Sequence, residues 1–103
     1  MAEWTERAEL LFKKEGLDNL KNSHVLVVGL GGVGSFAAEF LARAGVGTMT
    51  IVDGDVVDIT NINRQLPALH STVGQPKVTI VGDRLMDINP ELKLIRVQEF
   101  LSP

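Results

Sequence analysis

The segment VLVVGLGGVG, Val25 to Gly34, limits what this chain can fold into more than any other. Val25 to Val28 is a continuous apolar run, as expected of a parallel strand covered on both faces. Behind it Gly29, Gly31 and Gly34 fall in GxGxxG spacing, between a strand and the helix that should follow. Gly29 permits a tight turn, Gly31 lets the backbone approach phosphate, and Gly34 allows close helix–strand packing. Gly32 removes one more side chain from the loop. The free N–H groups at the helix start, together with its dipole, then favour an anion. A glycine-rich turn alone can mean tight packing and nothing more. Its position between strand and helix is what points to phosphate.

The flanking pattern predicts strand, helix, strand, helix, strand. The first helix of this series should run from near Gly32 to about Ala44, burying Phe36, Ala37, Phe40, Leu41 and Ala44. Glu39 and Arg43 form an i,i+4 pair on its outer side. TMTIVD then makes a second strand ending at Asp53, and polar chain with short helical turns fills Gly54 to Gln75. Pro76 suits the first turn of a helix reaching about Ile88, with Val78, Val81, Leu85 and Ile88 as its buried stripe. Asn89-Pro90 ends that helix. LKLIRV, Leu92 to Val97, is the third strand. Ahead of the series, a leading helix from about Trp4 to Lys14 stops near Gly16.

Right-handed crossovers make the strands parallel in spatial order 3-2-1. The fold class is α/β: a three-layer Rossmann-like half-domain with flanking helices and an N-terminal helix. Residues 1–16 carry the leading helix and 24–97 the βαβαβ unit, so 1–103 reads as the N-terminal part of a longer domain. A sheet of this type continues with a strand beside the first, which here would stay an open apolar edge. That edge motivates one alternative, a non-catalytic partner-binding domain.

Asp53, at the end of the second strand, can accept hydrogen bonds from ribose hydroxyls. Up to this point NAD and ATP are equally served, and an NAD-binding oxidoreductase stays open. The stretch DITNINRQL, Asp58 to Leu66, separates them. A triphosphate carries about two more negative charges than a dinucleotide pyrophosphate, more than a helix dipole of about half a charge can balance. Arg64 and Lys77 can both reach the carboxyl ends of the strands. Arg would bridge two phosphate oxygens and Lys would add a point charge. Asn61, Asn63 and Gln65 add neutral donors. Together these residues favour ATP.

Composition removes several other classes. A net charge of −3, with ten scattered Lys and Arg and five aromatic residues that do not interleave with them, argues against a broad basic nucleic-acid face. The absence of cysteine excludes disulfides, thiolate metal ligands and any persulfide step on this chain, and fits a cytoplasmic protein. No apolar run reaches membrane-span length, and the charged N-terminus is no signal peptide. His24 reads as a strand-entry residue, His70 as a turn residue, and Met49 and Met86 as core filling.

GLGGVG, DGDVVDITNINRQ and TVGQPK, in this order, resemble the ThiF/MoeB/ubiquitin-activating-enzyme superfamily, and RAELLFKKEGLDNLKNSHVLVVG resembles its lead-in helix. The resemblance covers nearly the whole chain. It implies an enzyme that uses ATP and Mg to adenylate a carboxylate, and a homodimer. It implies that Gly31 and Gly32 lie against the nucleotide, that Asp53 binds ribose, and that Asn61, Arg64 and Lys77 contact the phosphates. Gln65 is a further candidate. Arg7 would cross the dimer interface to the partner's ATP, and Arg64 and Lys77 would stabilise charge as pyrophosphate leaves. DITNINRQLPALHSTVGQPK is most similar to the tRNA threonylcarbamoyladenosine dehydratases, whose substrate is a carboxylate on tRNA adenosine. Members that adenylate the C-terminus of a ubiquitin-like sulfur-carrier protein share most of these motifs. The family's metal-holding Asp would lie beyond Pro103. No metal ligand is assigned here, Asp55 included, and the chain alone is expected to be inactive.

Overall fold

The structure, a computed structural model, describes residues 19–63, 65 and 68–100. The expected leading helix, Arg7 and Arg64 all lie outside the described residues. Element order is β1 (His24–Val28), α1 (Gly32–Ala44), β2 (Thr48–Val52), a 3-10 turn (Ile59–Asn61), α2 (Lys77–Ile88) and β3 (Lys93–Val97). The strands form one parallel sheet with β2 in the centre, the expected 3-2-1 order.

Register explains the core. Val25 lies beside Met49 and Leu94, and Val27 beside Ile51 and Arg96, so these residues share one face. On that face the apolar members, all but Arg96, join Ala38, Ala42, Val46, Val78, Val81, Leu85 and Leu92 in a single apolar cluster. Both helices therefore cover the same side of the sheet, as two right-handed crossovers advancing in one direction require.

Cover on both faces of β1 was expected, and here the structure corrects the sequence reading. Leu26 and Val28 point the other way and are 60% and 52% exposed among the described residues. Ile95 and Phe100 are exposed as well. His24 enters β1 as expected, its ring Nε2 2.7 Å from Thr50 Oγ1.

A second correction concerns α1. Its buried stripe is Ser35, Ala38 and Ala42, with Ala44, while Phe36 and Phe40 are 65% and 54% exposed. The cause lies in the first turn. A Cβ on Gly34 would overlap the carbonyl oxygen of Gly29, so the helix is seated directly on the backbone of the glycine loop. That contact sets the rotation of the helix about its axis, and the small residues in line with it then meet the sheet. The large apolar residues, which suggested the buried side in the sequence, are turned to its flank.

α2 keeps its expected stripe, with Val78, Val81 and Leu85 buried and Ile88 packed against the core. Its one buried glycine, Gly82, makes room for Arg96: a Cβ there would stand 2.6 Å from the guanidinium. Arg96 thus crosses the helix to reach Asp83 at 2.8 Å. Glu39 is not on an outer side, as the i,i+4 pattern suggested. It accepts from Arg43 at 2.9 Å and from Arg84 of α2 at 2.7 Å, bridging the two helices. The Arg84 hydrogen bond, above all, holds its carboxyl below the usual range, against the opposing effect of burial and with help from Arg43. Among the described residues no helix is long and apolar enough to cross a membrane.

Three outcomes follow. Leu85→Ala, at a site 1% exposed, should lower the unfolding free energy by about 2–5 kcal/mol. Phe40→Ala should change it by no more than about 0.5 kcal/mol. Urea unfolding of both variants checks the orientation of α1, and a large loss from Phe40→Ala would contradict it. Glu39→Gln should destabilise by about 0.5–1 kcal/mol at neutral pH. Because the folded-state pKa is depressed, this contribution is present above the unfolded value of about 4.3 and lost as pH falls through the lower folded value. Denaturation series at pH 7 and pH 3 should show the gap closing.

Candidate nucleotide-binding site

The glycine loop leaves β1 in a conformation that its sequence anticipates. Gly29 has φ +85°, a left-handed setting that strains any residue with a Cβ, and its N–H donates to Val52 O at 2.8 Å. Gly31 caps α1 with no side-chain hydrogen bond, and there is no acidic residue in the first turn. Ser35 Oγ donates to Gly31 O at 2.5 Å, steadying that turn from inside. The leading N–H groups of α1, which have no intrahelical acceptor, are thus left to face the carboxyl end of the sheet.

Asp53 sits immediately after β2 and is 8% exposed. Its Oδ2 accepts from Leu30 N–H at 2.6 Å and its Oδ1 accepts from Asp55 N–H at 2.7 Å. The second bond is an Asx-type turn, formed locally by the sequence Asp-Gly-Asp. The first reaches 23 residues back and fastens the glycine loop to the end of β2. Each oxygen keeps lone-pair capacity for a further donor. A ribose-binding role thus stays open to it.

The loop after Asp53 doubles back on itself. Val57 N–H donates to Gln75 O at 2.8 Å, Gly74 N–H to Val57 O at 2.8 Å, and Lys77 N–H to Asp55 O at 3.0 Å. Val56 and Pro76 form an antiparallel bridge between the two arms. This short ribbon brings Lys77, the first residue of α2, next to the segment that Asp53 controls.

Between the arms lies DITNIN. Asp58 caps the 3-10 turn in a reciprocal capping box: its side chain accepts from Thr60 N–H, and Asn61 Oδ1 accepts from Asp58 N–H at 3.0 Å. The Thr60 backbone and side-chain hydrogen bonds, and more weakly the charge of Lys77, hold the exposed Asp58 carboxyl below its ordinary value. Asn61 is buried, and its carbonyl accepts from Gln65 N–H at 3.0 Å. The Gln65 side chain is thereby laid against the glycine loop, its Nε2 3.6 Å from where a Cβ on Gly31 would stand.

Gly29, Gly31, Gly32, Gly34, Asp53, Asn61, Gln65 and Lys77 are therefore gathered at one end of the sheet. Two of them bear on a ligand. The Lys77 residue is 5% exposed and its charge acts on the Asp58 carboxyl, while no hydrogen bond or close ion pair engages its ammonium among the described residues. Gln65 Oε1 is buried without a hydrogen-bond partner among them. A buried acceptor left so is unfavourable, and a polar, anionic ligand is the chemistry that a lysine ammonium and a bare helix N-terminus fit. Among the described residues no three His, Cys, Asp or Glu are grouped to hold a metal ion.

Sequence reasoning did not find the two backbone bonds to Asp53. The local half had a signal in Asp-Gly-Asp, whereas the Leu30 contact had none, because it joins the ends of two different strands.

A family model described as the ThiF family matches residues 5–103. The tRNA threonylcarbamoyladenosine dehydratase of Bacillus subtilis is 63% identical over 96 residues, which is 93% of this chain and 38% of that protein. Molybdopterin-synthase adenylyltransferase of Escherichia coli is 46% identical over 91 residues, 88% of this chain and 36% of that protein. The crystal structure of E. coli tRNA N6-threonylcarbamoyladenosine dehydratase in complex with ATP has a TM-score of 0.95 at 40% identity, over 98% of this chain and 42% of that one. The chain spans little more than a third of the length of the two curated relatives, 38% and 36%.

Gly34→Ala should cost about 1–3 kcal/mol, since its new methyl meets a backbone carbonyl that cannot rotate away. Thermal unfolding measures the cost. A variant as stable as the parent would mean that α1 is not seated on the loop as described.

Proposed function

The chain belongs to the ThiF family, and from that premise we propose that it forms the N-terminal, nucleotide-holding part of an enzyme that adenylates a carboxylate. The observation that carries this reading is Lys77, a mostly buried lysine whose backbone is tied through Asp55 and Asp53 to the glycine loop. A dinucleotide site has no evident need for that charge. Complexes of the E. coli dehydratase with ATP and with AMP support the choice of nucleotide.

In this reading the first turn of α1, Gly31 and Gly32 take the phosphates and Asp53 takes the ribose. Asn61, Gln65, Arg64 and Lys77 surround the phosphate chain. ATP supplies the adenylyl group that turns a carboxylate oxygen into part of a leaving group. Arg64 and Lys77 hold negative charge as pyrophosphate departs, which is electrostatic rather than acid–base assistance. The buried carboxylate of Asp53 close to the loop makes those cations more necessary. Mg, held by residues other than those described, would neutralise further phosphate charge.

The acyl substrate we propose is the threonylcarbamoyl carboxylate on tRNA adenosine, activated for cyclisation by loss of water. Support comes from the 63% identity to a dehydratase, against 46% to an adenylyltransferase of the molybdopterin pathway. The C-terminus of a ubiquitin-like sulfur carrier is the second reading, favoured by the 39% identity to the sulfur carrier protein ThiS adenylyltransferase of E. coli. A tRNA substrate fits a cytoplasmic setting, and we propose a homodimer in which Arg7 reaches the partner's nucleotide.

The chain should bind ATP in preference to NADH, and Lys77→Met should weaken ATP at least about tenfold through loss of a charged contact. Calorimetric titration with both nucleotides checks this. Tight NADH binding with none for ATP would replace the proposal by an oxidoreductase reading. In the full-length enzyme, threonylcarbamoylated tRNA should trigger pyrophosphate release and Arg64→Ala should abolish most of it. Release on adding a sulfur-carrier protein instead would transfer the assignment to that substrate.

A further inference from the structure

We propose that Asp53 is a positioning residue for the phosphate end of the site, in addition to any contact with ribose, because its carboxylate joins the glycine loop to Lys77. The inference rests on the nucleotide reading above and adds a coupling between two parts of that site.

The connection is continuous. Leu30 N–H donates to Asp53 Oδ2 at 2.6 Å, Asp55 N–H donates to Asp53 Oδ1 at 2.7 Å, and Lys77 N–H donates to Asp55 O at 3.0 Å. Hydrogen bonds to an ionised carboxylate are the strong members of their class, and this one is buried, where water competes least. Neither end can drift independently. Leu30 is fully buried, and Lys77 begins a helix whose next residue, Val78, is in the core. The pairing of Val57 with Gly74 and Gln75 stiffens the ribbon between them. Asp53 thus links the glycine loop to the ribbon that leads to Lys77 through one side chain, alongside the backbone pairing of that ribbon.

An Asn at position 53 cannot serve both donors. Its amide offers one oxygen and one NH2 group, so one of the two backbone N–H groups would face another donor. Either the loop or the ribbon must shift, and Lys77 then no longer stands where the phosphates arrive. A residue that only held ribose would behave differently, because adenosine, AMP and ATP all present the same ribose.

The test is calorimetric titration of adenosine, AMP and ATP into the chain and its variants, with unfolding curves as controls for folding. Asp53→Asn should weaken ATP at least about tenfold more than adenosine, with AMP between them. In a chain already carrying Lys77→Met, Asp53→Asn should weaken ATP no more than adenosine. Asp53→Glu, which restores a carboxylate on a longer stem, should recover part of the ATP-specific loss. Equal losses for adenosine and ATP in the parent background would overturn the coupling while leaving ribose binding intact. A parent chain that binds none of the three ligands would overturn the nucleotide reading itself. If Asp53→Asn does not fold, NMR of the unaltered chain decides. Adenosine should shift the Lys77 amide together with those of Leu30 and Asp55, and a Lys77 amide that stays still while Leu30 moves overturns the proposal.

Discussion

Two backbone N–H groups, of Leu30 and Asp55, end on the two oxygens of one buried carboxylate, and the geometry of the site is built outward from that constraint. Without it the glycine loop would be tied to the neighbouring strand only through the Gly29 N–H bond to Val52 O. With it, the end of β1, the end of β2 and the start of α2 become one unit. Asp53 is placed for this by the parallel register, which brings Val28 beside Val52 and so sets the two strand ends level. Its own backbone N–H is anchored on Val97 O of β3 at 3.1 Å, so all three strands share in holding it.

The same economy of space governs the helix above. Gly34 lies on the Gly29 carbonyl, and the line of Ser35, Ala38 and Ala42 lies flat on the sheet. Close approach brings the leading N–H groups of α1 down to the level of the strand ends, where an anion can meet them. A helix held off by phenylalanines would present those groups several ångströms away. Phe36 and Phe40 on the flank are the consequence of that preference for proximity. Glu39, held between Arg43 and Arg84, ties the helix laterally to α2 with charge where the small residues leave little apolar contact.

Charged and polar groups meet at this end of the sheet. Asp53 brings a negative charge close to the glycine loop, and the charge of Lys77 acts on the Asp58 carboxyl. Among the described residues no acceptor is bonded to the Lys77 ammonium, and Gln65 Oε1 is buried without a donor. A buried acceptor in that state destabilises a folded chain unless a ligand meets it, which is the usual signature of a binding surface rather than of a core. Membership of the ThiF family and the ATP complex of a close structural neighbour agree with that physical reading.

Much of this was legible in the residues themselves. The bounds of α1, the three strands, their order and the helix that opens after Pro76 all follow from periodicity and from turn chemistry that acts over a few residues. The glycine at position 29 announced its left-handed turn. Local rules failed at three places: the rotation of α1, the outer face of β1 and the second partner of Glu39. In each the deciding atom belongs to a distant segment. Gly29 O turns the helix, the shared direction of both crossovers leaves Leu26 and Val28 uncovered, and Arg84 arrives from α2. The sequence by itself determined the glycine loop, the strands and the polar residues offered at their carboxyl ends. Only the tertiary structure decided that the Asp53 carboxylate would fasten that loop to the end of β2, because a hydrogen bond from Leu30 to Asp53 exists only once two strands lie side by side.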